Sequence, residues 1–214
     1  DLYPSLLTRT NIMFSVKSLQ WQLKERIAEI KSVNVDQIFL GNGSDEAIDV
    51  LFRIFCCPGT DNVVAIEPTY GMYSVCADTN DIEYRPVLLN DDFQPNTEAL
   101  FKAIDNNTKL LFLCSPNNPT GNDLNRETVE NIIVNFDGIV VVDEAYIDFS
   151  DNKTMLEQLE SYPNVVVLQT FSKAWGMAGI SYTVALICNA TSVDVSEEPA
   201  IYEELLKNAE MEYE

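Results

Sequence analysis

Histidine is absent from all 214 residues. That removes every imidazole base, the Ser-His and Cys-His nucleophile pairs, and any zinc site that needs an imidazole ligand. Acid–base chemistry is left to Lys, Asp, Glu, Tyr or Cys. Positive charge is scarce as well: 13 Lys and Arg stand against 34 Asp and Glu, a formal net charge of −21. Such an excess opposes a phosphate-backbone partner or an anionic membrane surface, so neither nucleic acid nor membrane is expected as a partner. No apolar run approaches a bilayer span, and the N-terminus lacks a basic region followed by a long apolar one; the reading is a cytoplasmic protein. No G-x-x-x-x-G-K-[ST] loop is present, and no G-x-G-x-x-G follows the first strand, which disfavours nucleotide and dinucleotide binding. The five cysteines, Cys56, Cys57, Cys76, Cys114 and Cys188, lack CxxC spacing and sit mostly in apolar runs. They read as packing thiols in a reducing compartment.

What is present is an ordinary globular mixture, 46% apolar and 22% charged. Between residues 36 and 180, short β-branched or apolar runs alternate with segments of helical period, which predicts a mostly parallel sheet wrapped by helices. The expected strands are 38–41, 62–67, 82–88, 109–115, 138–144 and 164–170, and the expected helices 44–55, about 71–78, 97–104, 126–136 and 154–161. Functional groups should gather at the carboxyl ends of such strands. Before this block, residues 18–31 predict an amphipathic helix with its apolar side at Leu19, Leu23, Ile27 and Ile30. After it come a possible strand, SYTVALIC, and an acidic stretch from Asp194 to Glu214 in which Lys207 is the one basic residue. The stretch reads as a solvated helix or a partly ordered tail. The expected organisation is therefore an N-terminal arm and helix (1–35), a large α/β domain (36–180) and an acidic C-terminal segment (181–214).

Four segments at strand ends carry chemistry. In LGNGSDEAIDVLF (40–52), Ser44 can cap a helix, and the free amides of Gly43, Ser44 and Asp45 would form an anion site with the helix dipole; a purely structural turn is the alternative. In CSPNNPTG (114–121), Pro116 and Pro119 fix the backbone and two asparagines stand ready to hydrogen-bond a ligand, against the plainer reading of a rigid turn. VVVDEAYIDF (140–149) ends a buried run on Asp143 and Glu144, and a carboxylate there needs a cation or a metal. Taken alone, this motif leaves Mg²⁺ and an organic cation equally open. In TFSKAWGMAGI (170–180), Lys173 sits beside Thr170 and Ser172 between Phe171 and Trp175; an apolar pocket would depress its pKa and suit imine formation, while a surface lysine is the alternative.

The order and spacing of these segments resemble the fold-type I enzymes that use pyridoxal 5′-phosphate (PLP). More narrowly, EPTYGMYSV, SPNNPTG, VVVDEAYIDF and TFSKAWGMAGI are similar to signature segments of the histidinol-phosphate aminotransferase family, with threonine-phosphate decarboxylase as the nearest competitor. The resemblance spans about residues 19–180. It implies the large domain of a fold-type I PLP transferase, a three-layer α/β/α unit with a mostly parallel sheet. It implies transamination between L-histidinol phosphate and 2-oxoglutarate in histidine biosynthesis, hence a small-molecule amino donor, a 2-oxo acid and a homodimer. Residue by residue, Lys173 would hold the cofactor and move the substrate proton, and Asp143 would pair with the pyridine nitrogen. Asn118 and Tyr146 would hydrogen-bond the ring oxygen, and Tyr70 would stack on the ring. Gly43, Ser44 and Asp45 would hold the phosphate with Thr170 and Ser172.

The resemblance also has gaps. The family continues the lysine motif with a phosphate-binding arginine, where this chain has Ser181, and no arginine follows Arg126 to clamp a substrate carboxylate. Residues 181–214 neither match the family's C-terminal small domain nor suffice to build it, and the arm before Leu19 does not match, Tyr3-Pro4 apart. An inactive remnant of the PLP fold, serving as a binding or structural protein, is the alternative reading.

Overall fold

The computed structural model describes residues 20–176 and the backbone of strand residues 183–187. Its centre is a set of strands too apolar to face water on either side. Strands β2 (Asn62–Glu67), β4 (Thr108–Cys114), β5 (Ile139–Asp143) and β6 (Val165–Thr170) are buried along nearly their whole lengths. Continuous Val, Ile and Leu runs suit parallel strands covered on both faces. With β1 (Ile38–Gly41), β3 (Glu83–Leu88) and β7 (Thr183–Ile187) they form one seven-stranded sheet in the order β1-β7-β6-β5-β4-β2-β3. All pairings are parallel except those of β7, which runs antiparallel between β1 and β6. The possible strand in SYTVALIC is thus an interior member of the sheet. Pro86 lies in β3, which pairs with β2 alone at the sheet's edge, the place where a missing backbone donor is tolerated.

Period-two alternation distributes the strand side chains between two cores. Val63, Ala65, Phe112, Val141 and Leu168 face α2 (Gly43–Phe55) and α3 (Met72–Thr79), while Val64, Leu111, Val142 and Val167 face α4 (Thr97–Ala103) and α5 (Arg126–Val134). The three-layer α/β/α arrangement is therefore present. Helix α2 buries Ala47, Ile48, Leu51 and Phe52 on one side, with Asp45 and Glu46 in its first turn and Arg53 in its last, signs that suit the helix dipole. Helices α4 and α5 start on asparagine caps: Asn96 Oδ1 accepts from Ala99 N and Asn125 Oδ1 from Thr128 N, both at 3.0 Å.

Three expectations need correction. Ser44 does not cap α2, because the helix begins at Gly43 with Asn42 as its cap, and Glu46 instead reaches back to accept from the Asn42 amide. The helix expected over 154–161 is a 3₁₀ segment, Met155–Ser161; Pro163 disfavours helical geometry at Tyr162, which is extended, and so cuts the segment short. The helix over residues 20–31, α1, buries only part of its apolar side: Ile27 enters the core, whereas Leu23 and Ile30 are 37% and 45% exposed. Leu19 lies outside the described residues, as do residues 1–18, Ser181 and the acidic stretch 194–214. Elsewhere expected and observed boundaries agree to within two residues, the usual uncertainty of element ends. No helix among the described residues is long and apolar enough to cross a membrane.

Candidate active site

Because β2, β4, β5 and β6 are parallel, the loops that follow them emerge along one edge of the sheet. The β5 alternation decides what the two acids do. Asp143 continues the face of Ile139 and Val141 toward α2 and α3, and Glu144 goes to the α5 side. Glu144 is structural: its carboxylate accepts from the Thr154 hydroxyl, from Met155 N at 2.7 Å and from Gln169 Nε2 at 2.8 Å. The two carboxylates are thereby divided between different partners, and the described residues contain no cluster of three or more metal-ligating groups. The Mg²⁺ alternative has no support here.

Asp143 is 2% exposed, and its oxygens accept from the Tyr73 hydroxyl at 2.6 Å and from Ala145 N at 3.0 Å. Burial raises its pKa, an effect opposed by Tyr73, the Ala145 amide and the charge of Lys173, and reinforced by Asp45. Tyr73, on α3, is fully buried; its ring stacks on Phe112 at 4.6 Å and meets Tyr70 edge-on at 5.8 Å. Tyr70 in turn donates to Asp45 Oδ1 at 2.9 Å, and burial, with Asp45 adding to it, raises the Tyr70 phenol well above its ordinary value. Two hydrogen bonds and one ring contact therefore tie the start of α2 to the end of β5.

The start of α2, where an anion site is expected, is opened by a glycine. Gly43 takes φ +86°, a left-handed conformation that glycine adopts without strain, and a Cβ placed there would meet nothing within 4 Å. The amides of the first helical turn have no acceptor within the helix, and the helix dipole adds positive potential to them.

Lys173 lies in the turn after β6, with Nζ 5.5 Å from the centre of the Tyr146 ring. The apolar pocket expected around it is not formed by the described residues, since β6 ends at Thr170 and the turn carries Lys173 out to an exposed position. Behind it, Thr170 is buried and its Oγ1 accepts from Ser172 N at 3.1 Å. The turn is braced: Trp175 packs edge-on against Phe171 at 5.3 Å and donates to Asp148 Oδ2 at 3.0 Å, while Lys31 of α1 lies 5.9 Å above the indole.

The two asparagines after β4 differ. Asn117 is buried and committed, donating to Pro68 O and Thr120 Oγ1 and accepting from Thr69 Oγ1. Asn118 is half-buried, with its backbone against Cys114. Contacts thus join Asp45 to Tyr70 and, through Tyr73, to Asp143, and separately Lys173 to Tyr146, with the charge of Lys173 felt at Asp143; Gly43 and Ser44 open α2, Thr170 ends β6, and Asn118 and Ser172 lie in the segments after β4 and β6. Sequence reasoning passed over Tyr73; the signal available was a second tyrosine three residues after Tyr70, at the start of the helix that follows it, whose hydroxyl would need an acceptor if buried. A cavity of about 470 Å³ opens on the opposite face, among Arg126, Glu144, Lys153 and Met155, and none of the candidate residues lines it.

Sheet order, the antiparallel β7 and the crossover helices define the fold as the large domain of a fold-type I PLP transferase. The chain belongs to the aminotransferase class I and II family, whose profile matches residues 10–202. Among its relatives, the histidinol-phosphate aminotransferase of Bacteroides thetaiotaomicron is 59% identical over 172 residues, which is 80% of this chain and 50% of the relative. The histidinol-phosphate aminotransferase of Clostridium acetobutylicum shares the fold with a TM-score of 0.71 at 21% identity, over 84% of this chain and 55% of that one. A double mutant of the Thermus thermophilus aspartate aminotransferase matches with a TM-score of 0.71 at 25% identity, over 78% and 47% of the two chains. The chain spans about half the length of the curated relatives it matches.

Proposed function

We propose that this chain carries the cofactor-binding part of a PLP-dependent aminotransferase acting on L-histidinol phosphate, with a 2-oxo acid, 2-oxoglutarate, as amino acceptor. The observation that carries the reading is the buried Asp143 carboxylate, aimed to the α2 side and within electrostatic reach of Lys173. The donor set suits the cofactor: a carboxylate for a pyridinium, an amine for a carbonyl, and a helix N-terminus opened by Gly43 for a phosphate. The name of the 59%-identical relative supplies the substrate.

When bound, PLP supplies an electron sink for the negative charge left on a substrate carbon that loses its proton. The chain's own groups do the rest. Lys173 would anchor the cofactor's carbonyl carbon and then serve as the base at the substrate Cα. Asp143 would hold a proton on the pyridine nitrogen. Tyr70 would cover one face of the ring, Asn118 and Tyr146 would bind its oxygen, and the amides of Gly43, Ser44 and Asp45 would hold the phosphate with Thr170 and Ser172. A cytoplasmic homodimer is the form expected for the whole protein.

The experiment is direct: the purified protein, incubated with PLP, should turn yellow, lose the colour on borohydride, and gain the cofactor's mass on the Lys173 peptide. Transfer of the amino group from histidinol phosphate, without release of CO₂ from threonine phosphate, separates this reading from the decarboxylase. A second reading, an inactive remnant of the fold, is favoured by Ser181 standing at the family's arginine position. Colour without transamination would select it.

A further inference from the structure

The hydroxyl of Tyr73 lies where hydroxyls are costly. The residue is fully buried, its ring pressed onto Phe112 and edged by Tyr70, in a core where phenylalanine would fill the same space. A buried hydroxyl carries a desolvation cost that only a good acceptor offsets. Here the acceptor is Asp143 Oδ2 at 2.6 Å, with the Cys114 thiol beside it. The ring contacts on two sides hold the hydroxyl on that oxygen.

We propose that Tyr73 is a positioning residue for the cofactor's ring nitrogen: by donating to Oδ2 it keeps Asp143 ionised and its remaining lone pairs directed at the ring. The proposal rests on the PLP reading above. The titratable groups that interact with Asp143 are Tyr73 from α3, Tyr70 just before it, Cys114 from β4, Asp45 from α2 and Lys173 from the turn after β6. Asp45 works against the ionised form by like charge. Lys173 favours that form through its charge. The direct hydrogen bonds to the carboxylate come from Tyr73 and the Ala145 amide.

The test uses the protein loaded with PLP and reads the pH titration of the bound cofactor's visible absorbance. In Tyr73→Phe, Asp143 becomes the stronger base and draws the proton from the ring nitrogen. Loss of the pyridinium charge should raise the titration midpoint by about one unit, of the order expected for one hydrogen bond to a charged group. Circular dichroism should be unchanged. Fluorotyrosine in place of Tyr73, a stronger donor with the same packing, should move the midpoint the other way and serves if Tyr73→Phe does not fold. An unshifted midpoint in either variant overturns the proposal while leaving the PLP reading intact. Absence of any visible band or borohydride-reducible bond to Lys173 in the unaltered protein would remove both.

Discussion

Replacing Asp143 by asparagine should separate stability from chemistry. The carboxylate is 2% exposed and accepts two hydrogen bonds, from Tyr73 at 2.6 Å and from Ala145 N at 3.0 Å. An amide of the same shape has one oxygen, so one of these donors would face an NH₂ group. Losing a hydrogen bond to a charged acceptor costs about 1.5–3 kcal/mol. Against this, the variant no longer buries an ionised group in a site where burial already disfavours the charge, a relief of similar size. The two effects should cancel to within about 1 kcal/mol, a melting shift of no more than about 4 °C for a domain of this size. Catalysis has no such compensation, since an amide cannot hold a proton on a pyridine nitrogen. A loss of about 4 kcal/mol in transition-state stabilisation would lower turnover roughly a thousandfold. The measurements are thermal melting by circular dichroism, PLP binding by absorbance, and transamination of histidinol phosphate. Near-normal turnover in Asp143→Asn would refute the reasoning and make the carboxylate a purely structural group.

Lys173→Ala should abolish borohydride-trapped cofactor while changing stability by less than about 0.5 kcal/mol, because the side chain is exposed; trapped cofactor at full stoichiometry would point to another lysine. Stability of the cofactor-free protein should fall as pH rises from mildly acid toward neutral. Burial raises Asp143 and Glu144, so the native state keeps protons that the unfolded chain releases above about pH 4, and the advantage is lost as pH passes their folded values. In the opposite sense Asp49 is lowered, Arg53 and Asn80 outweighing its burial, and Asp105 is lowered by Asn62 and Arg85, so their contributions vanish in stronger acid. A urea midpoint series across pH checks the sign, and Glu144→Gln should flatten the slope. Gly138→Ala should destabilise by about 1–3 kcal/mol, since its Cβ would stand 2.5 Å from Phe136 Cζ and 2.7 Å from the Lys109 carbonyl oxygen; an unchanged melting temperature would count against this packing. Phe112→Ala should cost about 3–5 kcal/mol in chemical denaturation, because the ring is fully buried between Phe52 and Tyr73.

Much of the sheet could be read directly from the chain because a parallel strand covered on both faces must be apolar throughout. Runs such as VVAI in β2 and VVVL in β6 have no other comfortable place. The same reasoning exposed Asp143 and Lys173, polar groups that end or directly follow such runs. Local sequence could not say that the segment before Pro163 would be a 3₁₀ helix, nor that Leu23 and Ile30, spaced for a buried stripe, would stay exposed. Burial depends on what packs opposite, and periodicity describes one surface only.

The sequence by itself therefore determined the alternation of elements, the class of fold and the residue types at the strand ends, all of which follow from hydrophobic period and short-range geometry. Tertiary structure alone decided which distant groups meet the two acids, that β7 enters antiparallel between β1 and β6, and that the Tyr73 hydroxyl reaches a carboxylate 70 positions away in the chain. These are contacts between distant segments. Their energies come from burial and hydrogen bonding that exist only once the layers have assembled.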